Sequence, residues 1–367
     1  MNRILSFLIF MVVALSVYFL MHFFVYRTVV RFIPFLPRVK SLIKYFFLFS
    51  GLSFPLSMML SRVFGFHHLN FYAYVWLGVL SISFAVLIPA RILNYVFPRI
   101  SFQITLLSLV LIGLLSVYAV FNGIRIPAVK TITLPLNQLP AESSGFKIVQ
   151  LSDLHLDSYK SPRMMSRVAE KVNSLNPDLI VITGDFIDGR IEHDQDVCLS
   201  LKKLRATHGI ISITGNHEYY AGISYFLEIS RKLKFTVLRN ERKLIGNHLQ
   251  VIGIEDNEAK RFSGAGPDLE TPLKNCDPTK PIIVLRHRPE GFAKAVERGV
   301  DLQISGHTHD GQIPPMTFLV RLFLKYPFGL YRMNNAYIYT SCGTGYWGPP
   351  MRLFSRAEIV EFVLVSN

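Results

Sequence analysis

The chain has 367 residues, half of them hydrophobic and only 17% charged, whereas soluble domains carry roughly 25% charged residues. That composition excludes a single ordinary soluble domain, and the 13% aromatic content excludes a disordered chain. The formal charge of +14 suggests a nucleic-acid partner until it is divided along the chain. Residues 1–141 hold eleven Lys and Arg and no Asp or Glu, while the remainder holds 28 basic and 25 acidic residues. Basic residues without acids, set between long apolar runs, point to a membrane protein and away from nucleic acid.

Four apolar stretches are candidates to cross a bilayer: 4–26, 45–60, 71–90 and 104–121. The first, at 23 residues, exceeds the 7–15 residues of a signal-peptide core, and Arg27 and Arg31 stand where a cleavage site needs small residues. The second is the shortest, 16 residues interrupted by Gly51 and Pro55. With four spans, the connection 27–44 carries five basic residues and 91–103 carries two, so the positive-inside rule puts both on the cytoplasmic side of an inner or plasma membrane. The carboxyl-terminal half then lies outside; with only three spans it lies inside. The spans contain no acidic residue and His22 is their one ionisable base, which gives transport no support. Three scattered cysteines (Cys198, Cys276, Cys342) form no disulfide framework and no zinc ribbon.

Residues 123–145 contain Pro127, Pro135 and Pro140 and alternate polar with apolar, the pattern of a first strand and linker. From 146 to 367, short Val- and Ile-rich runs alternate with helix-like stretches, which predicts buried strands with helical crossovers. Five of these runs end in ligand chemistry. FKIVQLSDLHL ends in Asp153 and His155, DLIVITGDFID in Asp185 and Asp188, and GIISITGNHEYY in Asn216 and His217. IIVLRHRPEG supplies His287, and DLQISGHTHDGQ supplies His307 and His309. Ligands bind beyond the carboxyl ends of strands in open α/β sheets. A set of imidazoles, carboxylates and one amide suits Mn, Fe or Zn better than calcium. The glycines before Asp185, Asn216 and His307 fit turns where backbones approach closely.

The series D-x-H, G-D-x-x-D, G-N-H-E, H, G-H-x-H resembles the calcineurin-like metallophosphoesterase superfamily. The GHTHDGQ and TSCGTGYWGPPMR stretches resemble its membrane-associated branch, which includes the YkuE-type bacterial phosphoesterases. The resemblance implies an α/β/β/α sandwich, here preceded by a bundle of about four transmembrane helices, and a site for two divalent metal ions, with manganese favoured over zinc or iron. It further implies that Asp153, His155, Asp185 and His309 bind one metal. Asp185 would bridge to a second, held by Asn216, His287 and His307. His217 would face the leaving group and Asp188 would orient His217. Arg286 and Arg288 flank His287; an inward-pointing arginine would hold a phosphate, and outward ones would be solvated.

Two divalent ions about 4 Å apart can hold a bridging hydroxide near neutral pH and clamp a phosphoryl group. The expected activity is therefore membrane-anchored hydrolysis of phosphomono- or diesters on a lipid-linked or cell-envelope substrate. The alternatives are a sugar-nucleotide lipid pyrophosphatase of the UDP-diacylglucosamine type and a membrane sensor or scaffold without catalysis. Residues 314–333 are strongly apolar and lack acids. They read either as an interfacial element dipping into the lipid bilayer or as a helix covering the sheet or the transmembrane bundle. Tyr219, Tyr220, Tyr346 and Trp347 lie near the expected ligands in sequence, as groove-lining or ordinary core residues.

Overall fold

A computed structural model describes residues 3–66, 68–156, 162–189 and 199–367, in two compact units. Cys276 is a free thiol, Cys342 is buried with its Sγ 2.8 Å from the Arg356 carbonyl, and Cys198 lies outside the described residues.

The first unit comprises residues 1–124 together with 313–316 and 348–354. Its helices are α1 (Arg3–Phe32), α2 (Pro37–Phe64), α3 (His68–Val96) and α4 (Ser101–Ile124). All four are long and apolar enough to cross a membrane. The run expected over 45–60 is the apolar part of the 28-residue α2. Apolarity marks only the stretch suited to hydrocarbon. Lys and Arg are good helix formers, so the helix continues through Arg38, Lys40 and Lys44. Pro37 starts α2 at a position that needs no N–H. Gly65 ends it in the left-handed conformation, its N–H reaching the Ser61 carbonyl. The connection expected over 27–44 thereby contracts to residues 33–36. Tyr18, Val25, Val29, Leu80, Leu87 and Ile112 form the unit's main core. Two polar pairs join the helices there, as an apolar setting favours: Trp76 Nε1 donates to His22 Nε2 at 2.8 Å and Asn94 Nδ2 to Thr105 Oγ1 at 2.9 Å.

The second unit holds two six-stranded sheets. Sheet one runs β1 (Ala128–Leu136), β12 (Glu358–Ser366), β2 (Phe146–Leu151), β3 (Leu179–Thr183), β4 (Ile210–Ile213), β5 (Thr236–Val237). Sheet two runs β10 (Gly329–Met333), β11 (Ala336–Thr340), β9 (Leu302–Ser305), β8 (Ile282–Leu285), β7 (Leu249–Gly253), β6 (Glu241–Ile245). Side chains alternate between two buried faces. In β2, Phe146 and Ile148 join a core drawn from both sheets, whereas Val149 and Leu151 join the outer core with α5 (Pro162–Asn173). That double burial is why these strands read as near-continuous apolar runs. The shared inner core makes the sheets face each other, with α5 and α7 (Ile223–Lys232) outside sheet one and α8 (Phe292–Glu297) outside sheet two. The unit is an α/β/β/α sandwich. Strands β2, β3 and β4 are mutually parallel, as are β7, β8, β9 and β11.

Candidate metal centre

Each of the five sequence-predicted strand ends delivers its residues to one place. Asp153 and His155 follow β2, Asp185 and Asp188 follow β3, and Asn216 and His217 open the short helix α6 (Asn216–Ala221) after β4. His287 follows β8, and His307 and His309 follow β9. The backbone there is forced. Asp153, His155, Asp185, His307 and His309 all have φ between 47° and 73°, a region that non-glycine residues rarely occupy and that persists where surroundings over-determine it. At two neighbouring glycines the packing admits no side chain. A Cβ on Gly215 would lie 2.2 Å from Asp185 Oδ1, and one on Gly306 2.3 Å from Asp153 Oδ2.

The donors converge in two sets that share Asp185. In the first, His155 Nε2 stands 3.0 Å from His309 Nε2 and 3.8 Å from Asp185 Oδ2, and His309 Nε2 stands 3.4 Å from Asp153 Oδ1. In the second, His287 Nε2 lies 3.1 Å from both Asp185 Oδ2 and His307 Nδ1. The far nitrogens settle the tautomers. His155 Nδ1 is 2.5 Å from Asp188 Oδ1, and His287 Nδ1 is 2.9 Å from the Thr183 carbonyl. Those acceptors hold the proton on Nδ1 and turn the Nε2 lone pairs inward. Lone pairs facing lone pairs and carboxylate oxygens at these distances repel unless a proton or a metal cation sits among them. Asn216 adds a further donor: its Oδ1 is buried and has no hydrogen-bond partner among the described residues, a costly state for an isolated amide. The residues present fit divalent metal ions: Asp153, His155 and His309 form one candidate group, Asp185, His287 and His307 a second, and His155, Asp185 and His217 a third.

Residues 146–311 match the family described as calcineurin-like phosphoesterase. A Helicobacter pylori (strain J99) metallophosphoesterase is 35% identical over 273 residues, covering 74% of this chain and 71% of its own length. This chain belongs to the calcineurin-like metallophosphoesterase family. It is also 35% identical to a Danio rerio transmembrane protein with a metallophosphoesterase domain, over 72% of this chain and 63% of that protein, so it spans under two thirds of that relative. The metallophosphoesterase YkuE of Bacillus subtilis is 32% identical over 64% of this chain and 84% of its own length.

Within the phosphoesterase domain, Asp188 joins two histidines. Its Oδ1 is 2.8 Å from His217 Nδ1 as well as 2.5 Å from His155 Nδ1. Burial disfavours charge on His217, but the Asp188 hydrogen bond and the Asp185 charge outweigh it and raise the pKa to about 9. His287 is likewise raised to about 10 against its burial, chiefly by Asp185. His307 is lowered to about 3 by burial and by the charges of His287 and Arg288, which keeps it neutral and ligand-ready.

Glu218 and Asp256 escaped the sequence reading. Fully buried, Glu218 accepts from the N–H groups of Phe186 (2.7 Å) and Ile187 (3.2 Å) through Oε1, and of Asp185 (3.0 Å) and Gly215 (2.6 Å) through Oε2. It thereby ties the loop carrying Asp185 to the turn carrying Asn216. The available signal was a Glu three residues after a turn glycine at a helix start, the capping-box spacing. Asp256, 3% exposed, follows β7, a sixth strand end of the same kind. Its Oδ2 accepts from Arg288 Nε at 3.0 Å, and Arg288 Nη1 reaches within 3.3 Å of His307 Nε2. One of the two arginines beside His287 therefore points inward. Arg286 instead lies 3.8 Å from the exposed Glu290. Of the four aromatics, Tyr220 and Trp347 are exposed and flank the His217 ring at 5.5 and 6.0 Å, while Tyr219 and Tyr346 are buried in the core.

Proposed function

We propose that the chain is a membrane-anchored hydrolase of phosphate esters with a site for two divalent cations. The observation that carries the reading is the pair of inward-facing imidazole sets meeting at Asp185. Asp153, His155, Asp185 and His309 would hold one ion, and Asp185, Asn216, His287 and His307 would hold the other. The mixed nitrogen and oxygen set favours manganese, with zinc or iron acceptable. When bound, the ions polarise the phosphoryl oxygens and make water nucleophilic near neutral pH.

The chain's own groups supply the rest. Asp188 and Thr183 hold the His155 and His287 rings in the ligating tautomer. The guanidinium of Arg288, fixed by Asp256, binds a non-bridging phosphoryl oxygen. Water oxygen bonds to phosphorus, the ester P–O bond breaks, His217 Nε2 gives its proton to the departing oxygen, and the proton released by the water restores His217 by way of solvent. The nitrogen is free to do so because Nδ1 is engaged by Asp188. Tyr220 and Trp347 offer apolar walls beside that oxygen.

The placement we propose is extracytoplasmic. Arg27, Arg31, Arg38, Lys40 and Lys44 cluster about the turn between α1 and α2, and Arg91 and Arg99 about the turn between α3 and α4. The opposite ends carry only Arg3, Arg62, Arg125 and Lys130, so the charge bias supports cytoplasmic placement of the two turns.

The test uses full-length protein in detergent, stripped with chelator and reloaded with Mn2+. The expected result is two ions per chain by elemental analysis and metal-dependent hydrolysis of bis-p-nitrophenyl phosphate. Fewer than two ions, or two ions without turnover, overturns the reading.

A further inference from the structure

Helix α9 (Met316–Phe323) turns large apolar side chains outward beside the site. Met316, Leu319, Leu322 and Phe323 are exposed, with Leu324 beyond its end, and Leu322 and Phe323 are each 74% accessible. Thr317, by contrast, is fully buried. Runs of this kind on a soluble surface are sites of contact with protein or membrane.

The helix is fastened to the metal-ligand loop at two points. Arg321 donates through Nε (2.8 Å) and Nη2 (2.5 Å) to Asp310, a residue 1% exposed that directly follows His309. Thr308, between His307 and His309, donates its hydroxyl to the Pro327 carbonyl at 2.5 Å. Whatever holds α9 and the turn after it therefore holds both imidazoles.

Two observations select the occupant of the apolar face. Residues 313–316, immediately before the helix, belong to the four-helix unit, where Ser81 Oγ donates to the Pro314 carbonyl at 2.7 Å. Chain continuity thus starts α9 at helices suited to a bilayer. Beyond Arg321, whose guanidinium is taken by Asp310, residues 324–333 contain Lys325 and Arg332 and no acid, a charge that complements lipid phosphate.

We propose that α9 lies in the headgroup layer of the bilayer and that the phosphoester hydrolysed at this site is carried on a lipid. Water adds to phosphorus, the P–O ester bond breaks, one product stays in the bilayer and the other leaves into water. The substrate assignment rests on the phosphoesterase reading; the membrane contact does not.

The test has two arms, both on full-length protein in nanodiscs of phosphatidylcholine and phosphatidylglycerol. In the first, Phe323→Trp is compared with the parent in lipids brominated near the top of the acyl chain. Insertion to about 5–10 Å depth predicts quenching in excess of that from Trp76 and Trp347. No excess overturns the membrane contact whatever the activity, and a dimer crosslinked through α9 would name a second copy as the occupant instead. In the second arm, turnover is compared on a diacyl lipid bearing a p-nitrophenyl phosphodiester headgroup and on soluble bis-p-nitrophenyl phosphate. Leu322→Ser combined with Phe323→Ser should lower the lipid-to-soluble ratio about tenfold, since each buried methylene lost weakens interfacial seating. An unchanged ratio overturns the lipid-borne substrate. Absent turnover of both esters by the two-ion parent fails the phosphoesterase reading, and the quenching arm still decides the membrane contact.

Discussion

Replacing Glu218 by Gln tests how the loops are held without touching a metal ligand. The carboxylate accepts two N–H groups on each oxygen. An amide keeps one accepting oxygen, but its NH2 then faces the other two donors, whichever way it is turned. Each orphaned buried donor costs ~1–3 kcal/mol, so two of them cost about 3 kcal/mol after local relaxation. For a unit of this size that lowers Tm by roughly 6–12 °C, at about 2–4 °C per kcal/mol. The measurement is scanning calorimetry of chelator-stripped, detergent-solubilised full-length protein at pH 8. That pH lies above the value of about 7 to which burial and the Asp185 charge raise Glu218, so the parent side chain is ionised. Glu218→Ala, which orphans all four donors, should fall further. A fall under ~2 °C for both variants would show that the four bonds do not hold these loops, and the account of how Asp185 and Asn216 are aligned would be wrong.

Asp185→Ala removes the residue shared by both cation sets, and should abolish both two-ion loading by elemental analysis and turnover of bis-p-nitrophenyl phosphate. His217→Ala should retain two ions while kcat falls by ~10²–10⁴; normal turnover would remove His217 from the mechanism. Asp188→Asn keeps an accepting oxygen but takes away the carboxylate charge that, with Asp185, outweighs burial and raises His217 to about 9. A proton donor works below its pKa and fails above it, so the descending limb of the kcat/KM–pH profile should move to lower pH, and an unmoved limb contradicts the assignment. Arg288→Gln should raise KM by roughly 10–100-fold, the worth of a charge-assisted hydrogen bond to phosphate, with a smaller change in kcat.

The resemblance carried by the strand-end motifs was legible because each motif is local. A parallel strand buried on both faces must be apolar throughout, and the residues just past its end are the first free to carry chemistry. Hence Asp153, Asp185, Asn216, His287 and His307 could be picked out one strand at a time. Helix lengths were less legible: α2 runs well past its apolar part at Arg38, Lys40 and Lys44 because the helical backbone is indifferent to where hydrocarbon ends. Glu218 stayed hidden because its partners are backbone groups, which leave no mark in side-chain identity. Asp256 sat in plain view after β7, but its role depends on Arg288, 32 residues away.

By itself, then, the amino-acid sequence determined which candidate ligand residues stand at strand ends and which segments are apolar enough for a bilayer, since both follow from composition and spacing along the chain. Only the tertiary structure decided that Arg288 pairs with Asp256 and reaches His307 while Arg286 reaches Glu290, that Asp188 serves two histidines, and that α9 is tied to the His307–His309 loop through Asp310 and Thr308. Those are matters of direction and distance between elements far apart in the chain. Packing sets them, and no local pattern encodes packing.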